Sequence, residues 1–186
     1  GALVRLNGLK LITRGETDSE WVDGLAPWEA GDRFDPEDLA ELERRRIDTG
    51  VYENVNVSLT PLDEITTEGL RPVIVTLTDR PRKLTEAGAT YSTTEGIGAD
   101  LFQTRYNRFN RADTLRYGAR YASIDSRIGA ELSLPHWRKP GRRLRMSAWA
   151  VYEETDAYDR AAVTLNADLS QRLGKTSYFS YGLGLD

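Results

Sequence analysis

The sequence predicts an α+β domain over residues 1–80 followed by an all-β segment over residues 81–186. Three observations support this division. The first part carries 9 Lys/Arg and 17 Asp/Glu, whereas the second carries 16 and 12. Aromatic residues rise from 4 in the first part to 13 in the second. The hydrophobic pattern mixes helix and strand periods before residue 80 and becomes a strict alternation after it.

The composition argues against several classes of chemistry. The chain has no cysteine and a single histidine, His136, so disulfides, thiolate catalysis and histidine-based metal clusters are not expected. The basic excess of the second part is small and dispersed, which argues against nucleic-acid binding. The acidic segment 153–159 is interpreted as a loop at a strand end, because a cation site needs convergent oxygen ligands. We therefore expect no enzyme activity, no catalytic residue, no metal and no cofactor.

The first part begins with a short strand marked by Val4, Leu6 and Leu9. Thr17 and Glu20 have the spacing of a capping box, in which the side chain of the first residue caps a helix and that of the second reaches back. We therefore predict that Thr17 caps a first helix. Pro27 is predicted to end this helix, because proline lacks the N–H that a helix interior requires.

A second helix is predicted with Asp35 as the N-cap and Pro36 at the first helical position. Gly50 is predicted to stop it. Its buried face is predicted to consist of three residues: Leu39, Leu42 and Ile47. The arginines at 44–46 lie in the last turns and are interpreted as solvated charges that complement the helix dipole.

Two strands follow the second helix, at residues 51–59 and 72–78, each with apolar residues at alternate positions. The order of elements is therefore strand, helix, helix, strand, strand, with one amphipathic face in each. Such an order predicts a small sheet that is covered by two helices on one face.

Two runs in the first part resemble POTRA domains. Residues 25–36 contain L-A-P-W followed by G-D-R-F-D-P, and residues 50–57 read G-V-Y-E-N-V-N-V. In that family a G-x-x-(aromatic) segment precedes the second helix, and G-(aromatic)-x-x-V-x-V opens the second strand; here Val51 separates the glycine from the aromatic residue. The resemblance implies a periplasmic βααββ domain whose second strand accepts a client strand by β-augmentation.

Alternation in the second part predicts about seven antiparallel meander strands. The predicted strands are 83–92, 97–106, 114–122, 127–134, 143–153, 160–170 and 177–186. Charges within these runs fall on one face, and the other face is apolar with tyrosines near the strand ends. This pattern is typical of a transmembrane β-barrel, in which the charged face lines a wet lumen. No run of about 18 apolar residues occurs, so no transmembrane helix is predicted.

Residues 86–99, E-A-G-A-T-Y-S-T-T-E-G-I-G-A, are similar to the first barrel hairpin of the TamA–BamA superfamily of outer-membrane assembly proteins. Residues 132–137, L-S-L-P-H-W, resemble a strand end of TamA more than one of BamA. The resemblance implies an outer-membrane protein that inserts or exports β-barrel or autotransporter clients. The partners it implies are outer-membrane lipid, unfolded outer-membrane proteins and a periplasm-spanning subunit.

Seven strands do not close a bacterial barrel, since such barrels have an even number of strands and about eight is the smallest. The barrel of the family has sixteen strands, so we expect a truncated barrel here. The opening on a strand-like run without a secretory signal is expected of a segment cut from a longer protein. With the POTRA domain in the periplasm, turns 106–113 and 135–142 become periplasmic. The open sheet edges are expected to let the isolated fragment self-associate.

Two groups of residues are predicted to pair with client strands. The first group lies on the first barrel strand, which is rich in small and polar residues: Glu86, Gly88, Thr90 and Ser92. The second group lies on the second strand of the first domain: Asn54, Asn56 and Ser58. Weak side-chain packing on the first barrel strand would make its seam with the last strand easy to open, so that a client strand can be templated there.

Three other functions remain open. The chain could belong to a translocator pore of two-partner secretion, to the barrel anchor of a patatin-like phospholipase, or to a soluble β-rich binding protein. Further POTRA repeats before residue 1 would favour assembly, and a hydrolase domain would favour the phospholipase. Dependence of the full-length protein on detergent would separate the membrane functions from the soluble one.

Overall fold

The computed structural model describes residues 4–66, 69–93, 96–155, 159–174 and 176–185. The chain divides into two compact units. Unit 1 comprises Gly1–Arg80 with Phe109–Ala112, and unit 2 comprises Pro81–Arg108 with Asp113–Asp186. Among the described residues, no helix has the length and apolar character needed to cross a membrane.

Unit 1 contains a three-stranded sheet and two α-helices. Its elements are β1 (Arg5–Thr13), α1 (Ser19–Asp23), α2 (Pro36–Ile47), β2 (Tyr52–Leu59), a 3-10 helix (Leu62–Glu64) and β3 (Leu70–Asp79). The strand order is β1-β3-β2, with β1 parallel and β2 antiparallel to β3. The central strand β3 therefore pairs on both sides, and β2 lies at an edge.

The core of unit 1 follows from alternation along the central strand. Val73, Val75 and Leu77 of β3 are buried, with side chains 0–3 % exposed. The other buried apolar side chains of the unit's first 80 residues are Leu6, Val22, Leu25, Trp28, Leu42, Val51, Tyr52 and Val55. Burial of each large aliphatic side chain stabilises the fold by about 1.5–3 kcal/mol.

The first helix begins one residue later than the sequence predicts. Asp18, not Thr17, is the N-cap, and its carboxylate accepts hydrogen bonds from the backbone N–H groups of Glu20 and Trp21. Thr17 is instead buried, and its hydroxyl shares a 3.1 Å hydrogen bond with the Tyr52 hydroxyl. The prediction for Thr17 was wrong because Asp18 is an equally good cap whose carboxylate reaches the first free N–H groups. The helix also ends at Asp23, before Pro27.

The second helix begins as predicted, since the Asp35 carboxylate accepts from the Glu37 N–H at 2.8 Å and Pro36 is the first helical residue. It ends at Ile47, and Gly50 follows with a left-handed φ of 77°. Of the predicted face, Leu42 is buried and Leu39 is partly buried, but Ile47 is 57 % exposed, whereas Arg46 is fully buried. Position 46 lies four residues after Leu42, so the helix turns it toward the core.

Arg46 is therefore a buried cation rather than a solvated one. Its guanidinium donates to the backbone carbonyl oxygens of Val22 at 2.9 Å and Leu42 at 3.3 Å. Its Nε has no hydrogen-bond partner within the part of the chain that the structure describes. Burial lowers the pKa of Arg46 to about 10, so the side chain stays charged at neutral pH. Because burial holds the pKa of Arg46 below its ordinary value, the buried charge costs stability at neutral pH. This cost is relieved only as the pH rises through about 10.

The other two arginines of the run are partly exposed and pair with Glu41. Arg44 and Arg45 both donate to its carboxylate, Arg45 at 3.0 Å. Partial burial raises the pKa of Glu41, but the hydrogen bonds from the two arginines outweigh that effect and hold it below the usual range. The interpretation as solvated charge fits Arg44, whose side chain is 37 % exposed, but not Arg45, whose side chain is 19 % exposed and also donates to the Leu25 carbonyl oxygen at 2.9 Å.

Unit 2 is a single antiparallel sheet of seven strands. The strands are β4 (Lys83–Ser92), β5 (Gly96–Tyr106), β6 (Thr114–Ala122), β7 (Asp125–Pro135), β8 (Arg142–Glu154), β9 (Asp159–Arg172) and β10 (Tyr178–Leu185). Each pairs with its sequence neighbours, and the sheet is not closed, so β4 and β10 are its two edges. Every boundary lies within two residues of the prediction, which is confirmed; Asp186, at the end of the predicted last strand, lies outside the described residues.

The two faces of this sheet differ in chemistry, as the alternation predicts. The apolar face carries aliphatic side chains in register across the strands, including Leu101, Ala119, Ile128 and Ala150. We call the opposite side the polar face. It carries most of the charged side chains, and two ion pairs cross it, Arg116 with Glu86 at 3.7 Å and Arg145 with Glu131 at 3.4 Å.

Two aromatic rings of the polar face meet across two glycines. Phe102 on β5, Gly118 on β6, Gly129 on β7 and Trp149 on β8 are successive partners in one row. At the usual strand spacing the outer two backbones would lie about 14 Å apart. The ring centroids are nevertheless only 6.3 Å apart, edge to face, because both rings lean over the glycines. The Arg116 guanidinium lies 4.0 Å from the Phe102 ring centroid and adds a cation–π contact.

Substitution of either glycine by alanine is expected to destabilise unit 2 by about 1–3 kcal/mol, because a well-packed site cannot accept an added methyl group. A Cβ at Gly118 would lie 2.6 Å from the Phe102 ring and against the Leu101 carbonyl oxygen, and one at Gly129 would lie 2.7 Å from the Trp149 ring. Gly174→Ala is the control, since nothing lies within 4 Å of its Cβ position. Urea midpoints in detergent measure the difference, and equal midpoints for all three variants would contradict the expectation.

Candidate functional site

Each unit has two edge strands, and client pairing is predicted at one of them. In unit 1 this strand is β2; the start of the other edge strand, β1, is covered by the segment before α2. That cover is formed by backbone hydrogen bonds of Leu6 with Gly31 and Asp32, both 2.8 Å, and by an N–H of Phe34 that donates to Val4 at 2.9 Å. In unit 2 the strand is β4, which pairs only with β5 among the described strands.

The direction of the free backbone groups on β4 follows from one hydrogen bond. The N–H of Tyr106 donates to the carbonyl oxygen of Arg82 at 3.0 Å, so these two residues form a hydrogen-bonded pair. In an antiparallel ladder such pairs alternate, and the register from Lys83 to Ser92 is continuous. Even-numbered residues of β4 therefore direct their N–H and C=O groups to β5. The groups that point away from the sheet belong to odd-numbered residues: Lys83, Thr85, Ala87, Ala89 and Tyr91.

The same argument applies to β2. The N–H of Thr60 donates to the Pro72 carbonyl oxygen at 3.1 Å, and the register from Asn54 to Leu59 is continuous. Even-numbered residues of β2 are therefore bonded to β3. The outward backbone groups belong to Val55, Val57 and Leu59. A strand added to unit 1 would hydrogen-bond to these residues.

The residues predicted to pair with clients occupy the alternate positions on both strands. Glu86, Gly88, Thr90 and Ser92 lie together on the polar face, and Asn54, Asn56 and Ser58 lie together on the face of the small sheet opposite the buried valines. Their backbone groups point inward to β5 and β3. Client pairing at these seven residues stays a prediction, and the outward backbone groups of each strand belong to neighbouring residues. Sequence alone gives no signal for them, since the parity of the ladder is set by the partner strand.

The packing of β4 against β5 is light. All residues of β4 are exposed except Ser92, which is half-buried. The Asp100 carboxylate lies over Gly88, within 2.7 Å of where a Cβ would be, and the Thr90 hydroxyl lies at the same distance from the Cβ position of Gly98. Small residues on each strand thus face polar side chains on the other. With little apolar contact, the hairpin is held mainly by its backbone ladder. The easily opened seam between β4 and the last strand of a barrel stays a prediction.

No group of three or more His, Cys, Asp and Glu side chains that could hold a metal occurs in the ranges that the structure describes. In the acidic segment at the end of β8, Asp156 and the other residues of 156–158 lie outside those ranges, as do Thr94 and Glu95 in the first hairpin turn. The arrangement that remains is a pair of strand edges, which can bind another chain through backbone hydrogen bonds.

The chain shares its fold with solved protein structures but matches no known sequence family. No protein-family model and no curated protein sequence matches the chain. Among solved structures, BamA from Haemophilus ducreyi lacking POTRA domains 1-3 matches 96 % of this chain with a TM-score of 0.72 and 16 % identity. CdiB from Acinetobacter baumannii matches 98 % with a TM-score of 0.65 and 15 % identity. CdiB from Escherichia coli matches 97 % with a TM-score of 0.62 and 16 % identity.

The chain spans 35–38 % of the length of these three structures. Almost the whole chain is superimposed in each, which includes both the α+β part and the seven-stranded sheet. At 15–16 % identity the likeness concerns the fold. The fold of this chain is therefore that of part of the BamA and CdiB proteins.

Proposed function

We propose that this chain belongs to an outer-membrane translocation and assembly protein, in which unit 1 is a periplasmic POTRA domain and unit 2 is the first part of a larger barrel. In this proposal β4 forms the lateral seam, where an incoming client strand pairs. The clients are unfolded outer-membrane proteins, and β2 offers a second pairing edge in the periplasm. The proposed role is one of binding and templating rather than catalysis.

The proposal rests mainly on the exposed edge of β4. It is an edge strand, it is exposed along its length, and its outward groups are presented by small residues, Thr85, Ala87 and Ala89. An exposed edge is a template for another strand, and proteins usually block such edges with charges, proline or bulges. Here the register with β5 has no bulge, and the only outward charge is Lys83 at the strand's start. The shared fold with BamA and CdiB supports the membrane assignment.

The apolar face supports a location in lipid. It carries exposed large side chains such as Leu101, Ile128 and Val163, between 58 % and 63 % exposed. Exposed tyrosines stand near one end of this face on alternate strands: Tyr91, Tyr121 and Tyr152. An apolar band bounded by aromatic side chains is typical of barrel strands that face lipid and end at the membrane interface.

Disulfide capture tests the proposal. An Ala87→Cys variant of the full-length protein, folded into lipid vesicles, is expected to crosslink to a cysteine in the last strand of an unfolded outer-membrane protein added from outside. The reason is that position 87 presents outward backbone groups, so a paired client strand would lie one strand spacing, about 4.8 Å, away. The crosslinked product is measured on gels.

Leu101→Cys is the matched control. Leu101 is the partner of Ala87 on β5, lies on the same face and is 58 % exposed, but β4 separates it from the edge. It is expected to give little crosslinking. Absence of capture at position 87, or equal capture at both positions, would argue against a seam at β4. Self-association of the isolated chain through the same edges stays a prediction, to be checked by light scattering.

A further inference from the structure

The two ends of the unit 2 sheet carry opposite charge. At the end where β4 begins, ten described cations of unit 2 lie in turns or within two residues of a strand end: Arg82, Lys83, Arg105, Arg108, Arg116, Arg138, Lys139, Arg142, Arg143 and Arg172. The one carboxylate there among the described residues is Asp113, which is fully buried and accepts from the Arg108 backbone N–H at 3.0 Å. Among the described residues, the opposite end has four acids, Asp125, Glu153, Glu154 and Asp159, and three cations, Arg120, Arg127 and Arg160.

The densest part of the cationic end is the turn between β7 and β8, residues 136–143, which we call the basic turn. Three hydrogen bonds hold its backbone. The backbone N–H of Gly141 donates to His136 Nδ1 at 3.0 Å. The backbone N–H of Trp137 donates to the Arg142 carbonyl oxygen at 2.9 Å, and the Arg142 N–H donates to the Lys139 carbonyl oxygen at 3.2 Å. The fixed backbone leaves the side chains of Arg138 and Lys139 exposed.

Apolar and aromatic surface adjoins these charges. The Arg138 guanidinium lies 4.5 Å from the Trp137 ring centroid. Leu134 and Leu144, the last apolar-face partners before the basic turn, pair with each other across β7 and β8. Tryptophan together with arginine or lysine at the end of an apolar band is the pattern of a membrane–water interface, where the rings and the charged heads lie at headgroup depth.

We propose that the basic turn binds the phosphate groups of anionic phospholipids in the leaflet that meets this end of the barrel. The acyl chains would lie along the apolar face beside Leu134 and Leu144, and the phosphate would lie at Arg138 and Lys139. An acidic soluble protein would match the charge but would leave the adjoining apolar surface and Trp137 without a role. The inference rests on the membrane location in the proposed function and adds a lipid preference to it.

Photolabelling of the full-length protein in vesicles tests the inference. Phosphatidylglycerol and phosphatidylcholine, each with a diazirine beside the headgroup, are compared as probes, and labelled peptides are mapped by mass spectrometry. The phosphatidylglycerol probe is expected to label residues 136–143 more strongly than the phosphatidylcholine probe. Arg138→Gln/Lys139→Gln is expected to reduce this preference by about 25-fold, since each basic residue near an anionic surface contributes about a fivefold factor. Added salt should weaken the preference as well.

Glu153→Gln/Glu154→Gln is the matched control, because it also removes two charges, at the opposite end of the same hairpin. It is expected to leave the labelling of 136–143 unchanged. Equal labelling by the two probes, or a preference that survives Arg138→Gln/Lys139→Gln, would overturn the inference while the proposed function stands. A second outcome would also overturn the inference. If Arg138→Gln/Lys139→Gln loses client capture at position 87 but keeps its lipid labelling, the basic turn binds an acidic client rather than lipid. Failure to insert into either vesicle, judged by protease protection, would overturn both.

Discussion

An Ala87→Pro/Ala89→Pro variant is expected to assemble client proteins about 25-fold more slowly than the natural sequence while it keeps its own fold. Both residues direct their N–H groups away from the sheet, as the bond between Tyr106 and Arg82 establishes. Proline has no N–H, so the variant loses two of the donors that an added strand would use. Each hydrogen bond contributes about 1 kcal/mol, or about a fivefold factor in rate or affinity. Assembly is measured as the folding rate of a client in vesicles that contain the protein.

Gly88→Pro is the matched control for the edge variant. Gly88 lies between the two alanines, but its N–H points to Asp100 of β5. Proline there removes a ladder bond and is expected to destabilise the hairpin by about 1–3 kcal/mol. Gly88→Pro should therefore lower the thermal stability of the barrel, whereas Ala87→Pro/Ala89→Pro should not. A double variant that is stable and assembles clients at the natural rate would show that the edge of β4 is not where they pair.

Arg46→Ala is expected to reduce the free energy of unfolding of unit 1 by about 2–4 kcal/mol, whereas Arg46→Met is expected to leave it unchanged or to raise it by about 1 kcal/mol. Alanine leaves a cavity where a fully buried side chain was. Methionine fills much of that volume and removes a buried charge whose Nε has no partner among the described residues.

The carbonyl groups that Arg46 contacts do not depend on it. The Val22 oxygen also accepts from the Leu25 N–H at 3.1 Å, and the Leu42 oxygen lies within α2, where the helical ladder supplies its partner. Hydrogen–deuterium exchange at amides of α2 and β3 reports the stability of unit 1 by itself. The two variants are compared directly. If Arg46→Met destabilises unit 1 as much as Arg46→Ala does, then the charge-assisted bonds to these carbonyls hold the two helices together, and the volume of the side chain does not.

The position of Arg46 shows how far helical periodicity could be read from the sequence. The start of α2 was predictable because Asp35 and Pro36 act locally, through a cap and a fixed φ. The residue that faces the core near the end of the helix was not predictable in this way. An arginine and an isoleucine are adjacent at positions 46 and 47, and apolar residues are buried more often than charged ones. Leu42 and Arg46 are both fully buried on the inward face of α2, and the backbone carbonyls of Val22 in α1 and Leu42 in α2 accept from the guanidinium.

Alternation along the chain determined the seven strands of unit 2, their boundaries and the division into an apolar and a polar face. These properties depend on side chains two residues apart within one strand, which the sequence shows directly. Only the tertiary structure decided which backbone groups of β2 and β4 face outward, because that parity depends on the partner strand. It also decided that Phe102 and Trp149, on strands β5 and β8, meet over Gly118 and Gly129, and that cations from several separate turns gather at one end of the sheet. Each of these is a relation between distant parts of the chain, set by the register of neighbouring strands.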